Sequence, residues 1–268
     1  MDFLGLKPLL ISALIFIPLE RILTLRPQKI FRRGIVNDLV YATFVGYAAD
    51  LLLGMIAVPF IGGAALLIPA GVTQAVGGQP LWLQVLEIIV LTDFGVYVVH
   101  RAFHTVPFLW RFHSIHHSVG EMDWLAAFHN HPFETIVTKA ATLIPIFVIG
   151  YSVEAISIYL LIFTGQNLLI HSNIRLDFGP LKWLIVSPQF HHWHHADERA
   201  AYDKNFAGQI ALFDVLFGTY RVPPSTPGRY GVNDPIPANF FGQLGYPFMP
   251  RRLFAQPPRS LETPPSEP

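Results

Sequence analysis

The sequence predicts an all-α fold: a polytopic integral membrane protein of helices with a histidine-rich helical cap on its cytoplasmic face. Three observations predict it. Of 268 residues, 52% are hydrophobic and only 13% are charged, roughly half the charge share of a soluble domain. Several apolar runs reach the roughly 17–25 residues that cross a bilayer. All twelve histidines fall between His100 and His195. Eighteen basic side chains balance eighteen acidic ones, which argues against nucleic acid as a partner. Without cysteine there is no disulfide, thiolate haem or Cys-ligated iron–sulfur cluster. Twenty-two Phe and five Trp exclude a chain disordered throughout.

The first apolar run, Leu9–Leu25, reads as a retained anchor, because Glu20 and Arg21 stand where a signal peptide needs small residues. Leu39–Ile61 and Leu81–Val99 are the next spans. Arg26, Lys29, Arg32 and Arg33 lie between the first two, whereas Gly62–Pro80 has no charge. The positive-inside rule places the 26–38 loop in the cytoplasm, and the third span delivers His100 to the same side. Glu134–Gly150 and Glu154–Ile170 form a further pair. Lys139 and Pro145 shorten the first of these to a possible re-entrant half, but either way His171 returns to that face. Past Arg221, twelve of 47 residues are proline, which precludes long helices. Phe240, Phe241, Tyr246 and Phe248 are expected to pack part of this tail, with Pro257–Pro268 disordered.

The histidines carry the chemistry. His100 and His104 are spaced i,i+4 on a helix continuing the third span, so both rings share one face. His113, His116 and His117 follow, and then His191, His194 and His195, again at offsets that project three rings from one helical side. Eight histidines exceed what one four-coordinate ion can use, so two metals are the economical reading. Imidazole suits iron, zinc or copper. His171 ends a buried run and joins the candidate set, as does His131. His129 is left out, and His192 falls off the shared face and reads as a supporting or surface residue. Each ligating ring needs an acceptor behind it, and Asp93, Asn167 and Asp197 are the expected ones, with Asp123 and Asp203 as further candidates. A zinc-dependent hydrolase is the first alternative, weakened by the lack of HExxH. A metal transporter is the second, weakened because its sites belong at the bilayer midplane. A bis-histidine haem protein is a third, in which adjacent histidine pairs are superfluous.

HRAFH, WRFHSIHH, HPFE at 131–134, NLLIHSN, PQFHHWHH and NFAGQIALFDVLFGTYR together resemble the fatty acid hydroxylase/sterol desaturase superfamily of membrane di-iron enzymes, over about Leu81 to Arg221. The resemblance implies two iron ions, with zinc as a substitute in a purified sample, and O2. It implies a lipid substrate, such as a fatty acyl chain or sterol, that is hydroxylated or desaturated at a C–H bond. It carries over His100, His104, His113, His116, His117, His191, His194 and His195 as ligands and His171 as the extra histidine before the last block; the family commonly has Arg where this chain has His129. On this reading residues 1–80 are transmembrane anchor helices, 81–221 the di-metal catalytic domain and 222–268 the Pro-rich tail. With no cysteine and no GxGxxG, electrons are expected from an external cytochrome b5-type, ferredoxin or flavoprotein donor. Arg101, Arg111, Lys182, Arg199 and Lys204 are available to attract it.

Overall fold

The computed structural model describes residues 5–250, and these are helical, with two isolated bridges and no strand. The expected disorder of Pro257–Pro268 lies outside the described residues. Four helices are long and apolar enough to cross a membrane: Ile35–Ala65 (α2), Leu81–Thr105 (α4), Pro132–Ile149 (α6) and Val153–His171 (α7). Leu6–Ile22 (α1) is a residue shorter than the least of these, at 17. Its last turn is anchored rather than free. The Glu20 carboxylate, buried, accepts the Trp124 and Asn173 backbone N–H groups at 2.8 and 2.9 Å.

The uncharged stretch between the second and third spans contains a short helix, Ala70–Gly77 (α3). The expected re-entrant half is a continuous helix instead: α6 runs for 18 residues through Pro145 and ends at Gly150, whose φ of 96° is the left-handed conformation favoured after a helix. A proline inside a helix removes one N–H and disturbs one carbonyl. Packing of α6 along α2 and α4 supplies the rest of its stability. Leu51, Met55, Ile56, Val58 and Phe60 on α2, with Leu86, Val90, Phe94 and Val98 on α4, are exposed, as apolar side chains facing lipid would be.

Proline also sets the corner at which the cap begins. Val106 precedes Pro107 and is therefore extended, with φ −94° and ψ 113°, which stops α4 at Thr105. Pro107 then occupies the first turn of Pro107–His117 (α5), where its missing N–H costs nothing. The cap continues with a tight turn at Trp124–Phe128, then Pro188–His194 (α8) and Leu212–Leu216 (α9). Residues 222–250 fold back over it, with Phe240–Gly245 (α10) their one α-helix among the described residues. Arg111 donates to the Tyr246 and Met249 carbonyls, and Tyr41 donates to Gln243 at 3.0 Å. Of the four aromatics expected to hold this segment down, Tyr246 is buried and Phe240 packs beside it, while Phe241 and Phe248 are exposed.

A buried charged cluster ties the second span to the cap. Arg32 grips both Asp123 oxygens at 2.6 Å and Asp38 at 2.7 Å, and Asp38 in turn accepts from His129 Nδ1. Arg32 is thus a structural cation, and the Arg26, Lys29 and Arg33 charges remain for the loop's surface.

Candidate metal centre

The C-terminal end of α4, the last turn of α5, the end of α7 and the short α8 all reach one end of the bundle. There they bring together nine of the ten candidate histidines, in two groups. His100, His104, His113, His117 and His194 form the first, and His116, His171, His191 and His195 the second, with the offered ligand atoms of each group within 4.8 Å of one another. The groups adjoin: the His117 and His195 rings stack at 4.4 Å between centroids, and His113 and His116 stand at 5.4 Å. Local sequence explains the placement. Ser187 caps α8 by accepting the Phe190 N–H at 3.2 Å, and Pro188 starts it, so the 191–195 block forms the helix's last turn.

Hydrogen bonding fixes which nitrogen faces inward in five of the nine rings. Nδ1 of His100 donates to the Phe206 carbonyl at 2.7 Å, that of His194 to Lys204 at 2.8 Å, and that of His171 to Asn167 at 2.7 Å. His113 Nδ1 donates to Glu134 Oε1 at 2.6 Å, and His116 Nδ1 to the His129 carbonyl at 3.3 Å. A neutral ring whose Nδ1 carries the proton presents a bare lone pair at Nε2. His100 Nε2 and His113 Nε2 nevertheless stand 3.0 Å apart, and His171 Nε2 and His116 Nε2 stand 3.3 Å apart. Neither nitrogen of these pairs has a proton to give, so the contacts are not hydrogen bonds. Lone pairs facing at this distance repel unless a cation lies between them. Imidazoles at right angles on one metal, with bonds of about 2.1 Å, stand about 3 Å apart. The donor set therefore fits two metal ions, one per group. His104 Nε2 and His194 Nε2, buried and without a partner, fit the same interpretation.

Burial, followed by the neighbouring rings, pushes the His113, His116, His117, His191, His194 and His195 imidazoles well below their ordinary pKa. They are neutral at pH 7, the form that binds metal.

Several expectations need correction. His131 joins neither group: its Nδ1 accepts the Phe133 N–H at 3.1 Å as the cap of α6, and its Nε2 donates to the Leu244 carbonyl at 3.2 Å. Of the two readings of His192, the surface one falls: it is buried, bridging the Tyr230 hydroxyl at 2.7 Å and the carbonyl of Ser172, next to His171, at 3.0 Å. Burial brings its pKa down to about 4. Asp197 backs no ring; it takes Tyr202, Arg229 and Asn233 at the surface of the cap. Asp93 does not touch a histidine either. It accepts the Gly208, Gln209 and Ile210 N–H groups at 2.9, 2.8 and 2.6 Å, and so holds the segment whose Phe206 carbonyl positions His100. A Cβ at Gly208 would meet Asp93 at 3.1 Å, a tight approach that glycine avoids. Asn167 does back His171, but through its main-chain carbonyl. Asp203 lies 3.6 Å from His104 Nδ1, with its side chain largely exposed. Asp123 serves Arg32 and the Trp124–Phe128 turn.

Replacing His131 with Ala is expected to cost about 1 kcal/mol through the lost cap while leaving bound metal unchanged. Thermal unfolding and metal analysis of the purified protein check this, and a loss of metal would restore His131 to the ligand set.

The sequence model of the fatty acid hydroxylase family matches residues 85–219, half of the chain. Among curated proteins, the ornithine lipid hydroxylase OlsE of Rhizobium tropici is 31% identical over 170 residues, which is 63% of this chain and 51% of that protein. The alkylglycerol monooxygenase of Xenopus tropicalis is 31% identical over 159 residues, 58% of this chain and 33% of that one. A very-long-chain aldehyde decarbonylase of Oryza sativa subsp. indica is 30% identical over 140 residues, 51% of this chain and 52% of the relative. The chain thus spans between a third and about half of the length of these relatives. No solved structure matches it.

Proposed function

The chain belongs to the fatty acid hydroxylase family, and on that premise we propose that it is a membrane-bound, O2-dependent oxygenase that hydroxylates a C–H bond of a lipid. Two iron ions would be held, one by His100, His104, His113, His117 and His194 and the other by His116, His171, His191 and His195. The observation that carries this reading is the inward-facing set of nitrogen lone pairs, buried and neutral, in two adjoining groups. Residues 81–221 supply all nine rings, and residues 1–80 and 222–250 brace them.

Abstracting hydrogen from an unactivated alkyl carbon needs an oxidant that side chains cannot provide, and two irons with O2 and electrons supply that chemistry. The balance for hydroxylation is one O2, two electrons and two protons per C–H bond, giving one hydroxyl and one water. The chain's own residues hold the rings in a fixed tautomer, through the Phe206, Lys204, Asn167 and His129 carbonyls and the Glu134 carboxylate. They also keep water away. Phe103 and Phe206, both buried, lie 5.8 Å from His113 and 5.2 Å from His104 respectively, between ring centroids. Trp110 lies 5.1 Å from His104 and 5.4 Å from His117, held by its indole N–H to Asp234 at 3.1 Å.

The names of two of the three relatives, a hydroxylase and a monooxygenase, favour hydroxylation of a lipid, among ornithine lipids, alkylglycerols or similar amphiphiles, while the third is named for decarbonylation of an aldehyde. The Arg26, Lys29 and Arg33 charges favour a cytoplasmic position for the histidine end, where an external one-electron donor would dock. The test is lipidomics of a host with the intact gene and with a His116→Ala copy, grown under isotopically labelled O2. A labelled lipid hydroxyl present only with the intact gene is the expected result. Zinc without O2 uptake in purified protein, or an unlabelled product, would overturn the proposal in favour of hydrolysis.

A further inference from the structure

The HPFE motif is only half explained by the placement of His131, because its last residue, Glu134, does something the ligand set does not require of a helix. It sits in the first turn of α6, is buried at 7% exposure, and accepts the His113 Nδ1 proton at 2.6 Å. Its other oxygen, Oε2, is buried with no hydrogen-bond partner. Its carboxyl group thus enters a site whose other ring partners at this distance are main-chain carbonyls.

The partners of the remaining rings show that this carboxyl group lies on one side. In the first group His100 and His194 are backed by carbonyls and His113 by Glu134, while the exposed Asp203 lies 3.6 Å from His104. In the second group His171 and His116 are backed by carbonyls, and Nδ1 of His191 and His195 is buried without a partner. Among the described residues, no buried carboxylate contacts a ring of the second group.

We infer that Glu134 is a positioning residue that makes the two ion positions unequal: it fixes the His113 lone pair toward His100 and His117 and renders that ring the strongest donor of the first group. A carboxylate accepting the distal N–H raises the basicity of a ligating imidazole, and loss of such a partner weakens metal binding by about 10–100-fold. The five-ring position therefore binds its ion more tightly and in a more electron-rich field than the four-ring position, where carbonyls back two rings and the other two have no backing partner. This rests on the two-ion reading above.

The experiment loads purified wild-type protein and the E134Q variant with isotopically enriched ferrous iron, and records metal content and Mössbauer spectra. Gln keeps an acceptor for His113 but replaces the carboxyl group, so the contact is retained and only the acceptor's basicity changes. The wild type is expected to hold two ions in two distinct doublets of equal area. E134Q is expected to shift one doublet and weaken one ion about tenfold or more, leaving the other doublet in place. Spectra and affinities identical to wild type, or both doublets moving together, overturn the inference. Should E134Q fail to fold, E134D answers instead, since drawing the charge back by one methylene must perturb one doublet and not the other. A wild type that holds fewer than two ions overturns the two-ion reading itself, an outcome separable from the failure of Glu134.

Discussion

A His116→Ala variant is expected to lose all lipid oxidation and to fall from two bound ions to about one. His116 belongs to the smaller group, so its removal leaves His171, His191 and His195. It also frees the His171 Nε2 lone pair of the neighbour 3.3 Å away, with which it would share a cation. Three rings with two buried, unpartnered Nδ1 atoms among them form a poorly oriented site, and poorly oriented sites bind about 10–100-fold more weakly. His194→Ala acts on the other group and leaves four rings there, so activity is again lost while less metal escapes. Elemental analysis and O2 uptake of the purified variants measure both. A His116→Ala protein retaining two ions would show that the second group is not a metal site. His192→Ala is the internal control: it touches no grouped nitrogen, so both ions stay, and the cost is about 1–3 kcal/mol of stability from the Tyr230 and Ser172 partners left behind.

The largest effect on stability is expected at Asp93. Its carboxylate, 1% exposed in the middle of α4, accepts three consecutive backbone N–H groups from residues 208–210. Asp93→Ala leaves those donors without an acceptor in a buried place. Hydrogen bonds to a charged group contribute about 1.5–3 kcal/mol each, not additively, so a loss of about 3–5 kcal/mol is expected. Asp214, which accepts the Phe206 and Ala207 N–H groups at 2.8 Å each, keeps part of the segment in place. Thermal unfolding in detergent measures the loss, and the metal spectrum should shift as well, because Phe206 then holds His100 less firmly. A change below about 1 kcal/mol would mean that the segment is held mainly by Asp214 and its apolar packing.

Ring spacing in the sequence was informative about position because i,i+3 and i,i+4 offsets have one meaning on a helix, and eight of the nine grouped rings lie on helices that proline and serine start and stop, with His195 just past the end of α8. His131 misled because a histidine before proline at a helix start is equally suited to capping, and nothing in the spacing distinguishes the two roles. The acceptors behind the rings were mostly illegible. Phe206, Lys204, Asn167 and His129 act through carbonyls, which every residue possesses, so no side-chain type marks them. Asp93 is an expensive carboxylate in an apolar helix and so calls for partners, but these are amides 115 to 117 residues away rather than a ring. Glu134 was the one acceptor with a signal, since it closes the HPFE motif at the mouth of a helix whose neighbour bears His113. Four apolar helices were visible as runs of hydropathy; α3 was not, because eight residues of Gly, Ala, Val, Thr and Gln carry little pattern.

The acceptor of His100 lies 106 residues further along the chain, and the last grouped ring is His195. In the order of synthesis α4, α6 and α7 all precede both Phe206 and His195. The proposed ligand set is therefore finished only when the chain beyond α7 has been made, and the early histidines wait, unmetallated and uncapped, until then. Ion delivery is then a late event in biogenesis, and a chain truncated before residue 195 would keep its four long apolar helices yet lack the residues that complete the proposed site.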